Sequence, residues 1–260
     1  MLVNGVLTNA EIWYGLTERE VSRLEEIDRL FLRKLFQVPV SCPIEALYLE
    51  TGCIPIRVII SLRRVKYLRH LLERDRSEMI SKFFYCQWRK PLKQDWTEQV
   101  KRDLEILEIS TDLNCIRNMK KYTFKQVVKE KARSYAFYNL LERKSAHSKL
   151  NDLSYYELRM QDYLTDQKIS VRQARIIFKT RTRMTKYWSN YKGMNMSKFC
   201  PICRNDRYID NQQHSFECKV IKMNIQIENE YAQVFGKIDE NLAKTLENIE
   251  IFREEFLDEI

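Results

Sequence analysis

A mainly α-helical fold is predicted for this chain by three features of its sequence. Glycine and proline are scarce, five of each in 260 residues, so few positions break a helix. Apolar residues recur at steps of three and four through most of the chain, whereas alternating apolar and polar runs of strand length are hard to find. Helix-start signals of the capping-box kind precede several of these periodic stretches. Hydrophobic residues make up 44% and charged ones 31%, a balance that supports a folded chain with a sizeable core.

The elements follow in order. Thr17-Glu18-Arg19-Glu20 opens the first helix, with Val21, Leu24, Ile27, Phe31 and Leu35 as its expected inner side and Pro39 past its end. Pro43 fits the first turn of a short helix to Glu50, stopped at Gly52. Pro55 starts a third, with Val58, Ile59, Leu62, Val65 and Leu68 as its core stripe and Arg57, Arg63, Arg64, Lys66 and Arg69 facing away. Ser77 is the expected cap of the next, which carries Ile80, Phe83 and Phe84 and ends at Pro91. A helix from Trp96 carries Val100 and Leu104 inward, with Lys101 and Arg102 outward. Thr123-Phe124-Lys125-Gln126 opens a long helix with Phe124, Val127, Val128, Tyr135, Tyr138 and Leu141. Ser170-Val171-Arg172-Gln173 caps a helix expected to reach about Tyr187, its apolar face formed by Val171, Ala174, Ile177 and Phe178. No repeat or low-complexity tract interrupts the series, and β structure is expected only as a small hairpin beside a cysteine cluster.

That cluster is the most specific signal in the chain. Cys200-Pro201-Ile202-Cys203 is followed by His214-Ser215-Phe216-Glu217-Cys218, a C-x2-C-x10-H-x3-C pattern. The two-residue gap turns two thiolates toward one ion, and the three-residue gap sets His214 and Cys218 on one helix face. Asn205, Asp206, Asp210 and Asn211 between the pairs suit a loop folding back. Three of seven cysteines and one of three histidines fall in this stretch, which favours Zn2+ over ordinary buried thiols and a stray histidine. Cys42, Cys53, Cys86 and Cys115 lie in apolar helical contexts and read as inert core thiols. An odd cysteine count with a zinc-type cluster points to a reducing, intracellular compartment, nucleus or cytoplasm. The N-terminus carries no signal-peptide pattern, and no apolar run is long enough for a membrane span.

Charge is unevenly spread. Residues 61–200 carry a balance of +17, between −2 over residues 1–60 and −6 over residues 201–260. A basic middle suits a polyanion partner, and it equally suits a solvated helical surface. Arg172, Arg175, Lys179, Arg183 and Lys186 fall at steps of three or four and form a basic stripe leading into the cysteine cluster. Trp188 and Tyr191 follow it, aromatics able to stack on unpaired bases. His70 and His147 lack a sequence-near carboxylate or nucleophile and read as structural or solvated, and no P-loop or dinucleotide glycine pattern occurs.

Several stretches resemble a known family. Ala10-Glu11-Ile12-Trp13-Tyr14-Gly15-Leu16-Thr17, Leu32-Arg33-Lys34, Val38-Pro39 and Glu45 to Arg57 resemble the thumb region of LINE-type (non-LTR) retrotransposon reverse transcriptases. Phe178-Lys179-Thr180-Arg181-Thr182-Arg183-Met184, the Cys-Pro-Ile-Cys turn and Gln213-His214-Ser215-Phe216-Glu217-Cys218 are similar to the carboxy-terminal segment of the same polyproteins, in the same order. The resemblance implies a thumb-like helical region over 1–75, a helical connector over 76–168, a basic helix with a CCHC zinc module over 169–222 and an acidic terminal helix over 223–260. It also implies that such tails help hold template RNA or target DNA. The departures are equally informative. The family's aspartate pair is absent, no Asp-Asp pair occurs in the chain, and the endonuclease half is missing, so neither polymerase nor nuclease activity is expected.

Two readings follow. In the first, the chain binds RNA or DNA with zinc ligated by Cys200, Cys203, His214 and Cys218, the basic stripe on phosphates and Trp188 or Tyr191 stacking on bases. In the second, it is an all-α scaffold docking on a polymerase core or on itself, through an apolar face expected at Leu32, Leu35, Phe36 and Leu47.

Overall fold

The computed structural model describes residues 7–90, 92, 93, 95–190 and 198–258, apart from the side chain of Trp188. Among these residues the chain is mainly helical, with α-helices joined by short 3-10 turns and β structure limited to two isolated bridges. No described helix is long and apolar enough to cross a membrane. Contacts group the chain into two compact units, Met1–Leu30 with Cys53–Leu141 and Phe31–Gly52 with Glu142–Ile260.

In the first unit the Ile56–Glu73 helix is central, packing against the 3-10 turn Ala10–Ile12 and the helices Met79–Arg89, Trp96–Ile106 and Leu113–Asn118. Leu7, Ala10, Ile56 and Ile60 form a small core, extended by Trp13, Leu16, Leu24 and Ile59. Being enclosed on several sides, this helix buries Arg64 and Arg69, which its periodicity had placed outside. Arg64 forks onto Asp103 (2.7 and 3.1 Å), and Arg69 donates to the carbonyls of Arg117 and Met119 (3.3 and 3.1 Å). Burying such charges is tolerable only with this degree of pairing.

The Glu18–Phe36 helix starts at the expected capping box, with Thr17 and Glu20 each accepting from the other's amide (3.3 and 2.8 Å). Its expected inner side holds only at Val21 and Leu24, which are half-buried. Ile27, Phe31 and Leu35 are exposed, while Glu25, Asp28, Leu32 and Phe36 are buried. The Glu25 carboxylate is drawn inside by Arg29 (2.7 Å) and Arg57 (2.8 Å). The apolar face expected at Leu32, Phe36 and Leu47 is likewise part of the core, leaving only Leu35 of that set exposed. Two helix starts also move. Glu78, not Ser77, precedes Met79–Arg89, and Ser77 instead donates to Asp75; the long helix begins at Lys121, which puts Thr123 inside it.

In the second unit the Ile44–Thr51 helix is buried on all sides and stops, as expected, at Gly52 in the left-handed region (φ 65°). A Cβ there would meet the Arg159–Met160 backbone, so the site requires glycine. Glu50 is fully buried and completely partnered: Tyr155 and Tyr163 hydroxyls donate to it at 2.6 and 2.7 Å, and Arg181 Nε lies 3.1 Å from both oxygens. Phe36 stacks on Phe178 of the Val171–Arg181 helix at 3.9 Å, and the Glu240–Asp258 helix packs against the same element.

Candidate metal centre

A tight loop and two short helices bring the four ligands together. The Cys200 amide donates to the Tyr208 carbonyl (2.9 Å) and the Asp210 amide to the Lys198 carbonyl (2.8 Å), pairing Phe199 with Ile209. This bridge stands where a small hairpin was expected. After Cys203 the chain reverses at Arg204, whose φ of 50° is left-handed and whose amide donates to the Cys200 carbonyl (3.0 Å). Asn211 then caps the Gln212–Glu217 helix by accepting from the His214 amide (2.7 Å). One turn on, the Cys218 amide donates to the His214 carbonyl (2.6 Å), so both side chains leave the same face.

Cys200, His214 and Cys218 are buried and Cys203 is half-buried; one ligand atom from each lies within 4.8 Å of the others. His214 Nε2 is 3.4 Å from Cys203 Sγ, and its ring is stacked on Tyr208 at 4.9 Å and 10°. This cluster could hold a metal ion. Around a tetrahedral ion the four side chains would leave no position for a substrate, the pattern of a structural rather than a catalytic centre.

Backbone amides face the sulfurs. Amides of Ile202 and Cys203 bond to the Cys200 sulfur, that of Asn205 to Cys203, and those of Val220 and Ile221 to Cys218. The Cys200–Cys218 contact lowers Cys218 to about 7 and raises Cys200. Burial raises Cys203 and lowers His214, keeping the imidazole neutral, the form that ligates. A cation also stands close by. Arg253 of the terminal helix grips Asp210 (2.8 and 3.1 Å), lies over the buried Tyr187 ring at 4.1 Å and is close enough to Cys200 to interact with its charge. Sequence reading took Asp210 for a turn residue and gave no sign of Arg253, because the two are 43 positions apart.

The basic stripe is less continuous than its spacing implied. Its helix stops at Arg181 rather than near Tyr187, because Arg183 adopts a left-handed φ of 55° and closes a Schellman cap. The Met184 amide donates to Lys179 (2.7 Å) and that of Arg183 to Thr180 (3.3 Å). Val171, expected in the core, is exposed, and the buried side is Gln173, Ile176, Ile177, Phe178, Thr180 and Arg181. Arg172 pairs with Glu247 (3.4 Å), Arg175 donates to the Leu35 carbonyl (2.7 Å) and Arg183 pairs with Asp152. Lys179 and Lys186 both act on Glu250, so the acidic terminal helix neutralises part of the stripe. The Trp188 side chain and all of Tyr191 lie outside the described residues.

Elsewhere, His147 Nε2 is 3.1 Å from buried Glu45, a carboxylate distant in sequence that also receives Arg143 at 3.1 Å. His70 is exposed beside Arg74. Cys42 is buried and its thiol pushed up to about 12, fitting an inert core role. Cys86 and Cys115 are exposed rather than in the core, and all seven cysteines are free. No protein family, curated protein or solved structure matches this chain.

Proposed function

We propose that this chain is a zinc-stabilised nucleic-acid-binding protein without catalytic activity of its own, with RNA as the favoured partner and a retroelement reverse-transcriptase tail as its origin. The single observation that carries the reading is the converging Cys200, Cys203, His214 and Cys218 set beside a basic helix. Tetrahedral zinc with three sulfurs and one nitrogen separates its ligand atoms by roughly 3.5–3.8 Å. The 3.4 Å Cys203–His214 contact and the 4.8 Å limit on the whole set are consistent with that shell. Zinc would supply folding energy to a loop that carries few apolar side chains. Lys186 is exposed, whereas Arg172, Arg175 and Arg183 would first have to leave their present partners.

Binding of a labelled single-stranded RNA by the zinc-loaded and the metal-stripped chain tests the reading. Tight, salt-dependent binding that weakens on stripping is the expected result. Absence of binding at low salt would contradict it.

A protein-docking scaffold is the second reading, and one observation favours it. Ile12, Tyr14, Ile80, Phe83 and Leu92 are all exposed and, rather than being scattered, border one open apolar groove of about 500 Å³ with Tyr67, Leu71 and Trp96. Dye binding to exposed apolar surface, or self-association in sedimentation, is what this reading expects.

A further inference from the structure

A group of like positive charges lies in the first unit. The Lys121–Lys144 helix begins beside the end of the Ile56–Glu73 helix, where Lys121 pairs with Glu73 at 2.5 Å. Further along, Lys66 has Lys125, Lys129 and Arg63 as its charged neighbours. Low numbers on one helix thus meet high numbers on the other, so the two run antiparallel here, and the stretch where their charges face one another is the seam. Lys66 is half-buried at this seam, Lys125 and Lys129 are exposed, and none of the three makes an ion pair or hydrogen bond among the described residues. Burial and the three cations together lower the Lys66 pKa, with no carboxylate acting against them. Like charges gathered this way cost stability unless a polyanion is there to absorb them.

We propose that this seam is a nucleic-acid backbone site, in which Lys66, Lys125 and Lys129 contact successive phosphates of an RNA strand. Lys125 and Lys129 are four residues apart, about 6 Å along the helix axis, so they present a row of charge rather than a single pocket. Lysine suits this role as a point charge without geometric demand. Tyr122, 74% exposed and one turn before Lys125, stands at the end of the row with its ring free to stack on a base. The proposal deepens the nucleic-acid reading above, on which it rests, and assigns contacts that the basic stripe does not supply.

The experiment is fluorescence anisotropy of the full zinc-loaded chain with a labelled RNA of about 20 nucleotides, titrated between about 50 and 200 mM salt. Three proteins are compared: the natural chain, Lys125→Gln/Lys129→Gln, and Arg172→Gln/Lys186→Gln. All four altered residues are exposed, so the fold is expected to survive, and circular dichroism checks this. Loss of two phosphate contacts is expected to weaken binding roughly ten-fold at low salt and to reduce the slope of log affinity against log salt by about 1.4. If only the Arg172/Lys186 variant weakens, the seam is overturned while the nucleic-acid reading stands. If the natural chain binds no RNA, both fall. If polyglutamate displaces the RNA at equal charge concentration and Lys125→Gln/Lys129→Gln weakens both equally, the seam is a site for acidic protein and the proposal is overturned.

Discussion

Arg253 of the Glu240–Asp258 helix holds Asp210, in the loop that carries the cysteine–histidine cluster, in a buried two-pronged ion pair, at 2.8 and 3.1 Å. Asp210 is fully buried and Arg253 is 5% exposed, so each depends on the other for its charge. Asp210 also ties the loop together through its backbone, donating to Lys198 and accepting from Ser189. The pair therefore links the end of the chain to the cluster's geometry. Arg253→Ala strands a buried carboxylate and is expected to cost about 3–5 kcal/mol of stability. Denaturant unfolding measures this, and a loss below about 1 kcal/mol would show the pair to be solvated.

The Glu50 node makes a second, independent expectation. Tyr163 is buried and donates its hydroxyl to the Glu50 carboxylate at 2.7 Å. Burial and the neighbouring carboxylate raise the Tyr163 phenol well above its ordinary range, so it stays a donor at all physiological pH. Tyr163→Phe removes that hydrogen bond to a charged group and is expected to cost about 1.5–3 kcal/mol, read from the same unfolding curves. Unaltered stability would mean that Arg181 and Tyr155 alone satisfy Glu50.

Glu250 provides the pH test. One of its oxygens is buried without a hydrogen-bond partner, and burial raises its pKa above the ordinary 4.5, with Glu254 adding to the rise and Lys179, Arg172 and Lys186 opposing it. A carboxyl whose pKa is higher folded than unfolded holds its proton longer in the native state. Its contribution is thus present at pH below 4.5 and lost as pH rises through the folded value. Glu250→Gln is expected to raise the melting temperature at neutral pH and to leave it unchanged in mild acid, where both side chains are neutral. A loss of stability at neutral pH would instead make Glu250 a net partner of the three cations.

Cys203 is the most accessible of the four ligands, half-buried where the others are buried. Cys203→Ser is expected to lower zinc content and to open residues 198–218 to proteolysis, with the first unit left intact. A variant that kept its metal and its protection would remove Cys203 from the ligand set.

The convergence of Cys200, Cys203, His214 and Cys218 was legible in the sequence because all four sit within one short stretch. The Thr17 and Ser170 capping boxes and the stop at Gly52 were legible for the same reason, since each depends on residues three or four apart. What could not be read was the fate of the charged residues. Arg64, Arg181 and Arg253 sit on helices whose periodicity leaves cations outside, yet each is buried by a carboxylate 39, 131 and 43 positions away. The buried carboxylate of the Glu18–Phe36 helix has the same cause, because Arg57 reaches Glu25 across 32 positions. The early end of the basic helix was hidden differently: its left-handed cap is Arg183, where glycine would have announced it.

Metal analysis with X-ray absorption on the purified chain tests the central claim most directly. One zinc per chain, with three sulfur neighbours at about 2.3 Å and one nitrogen at about 2.0 Å, is the result the account predicts. A chain that folds with no metal bound, or that holds zinc through a different set of atoms, would contradict it.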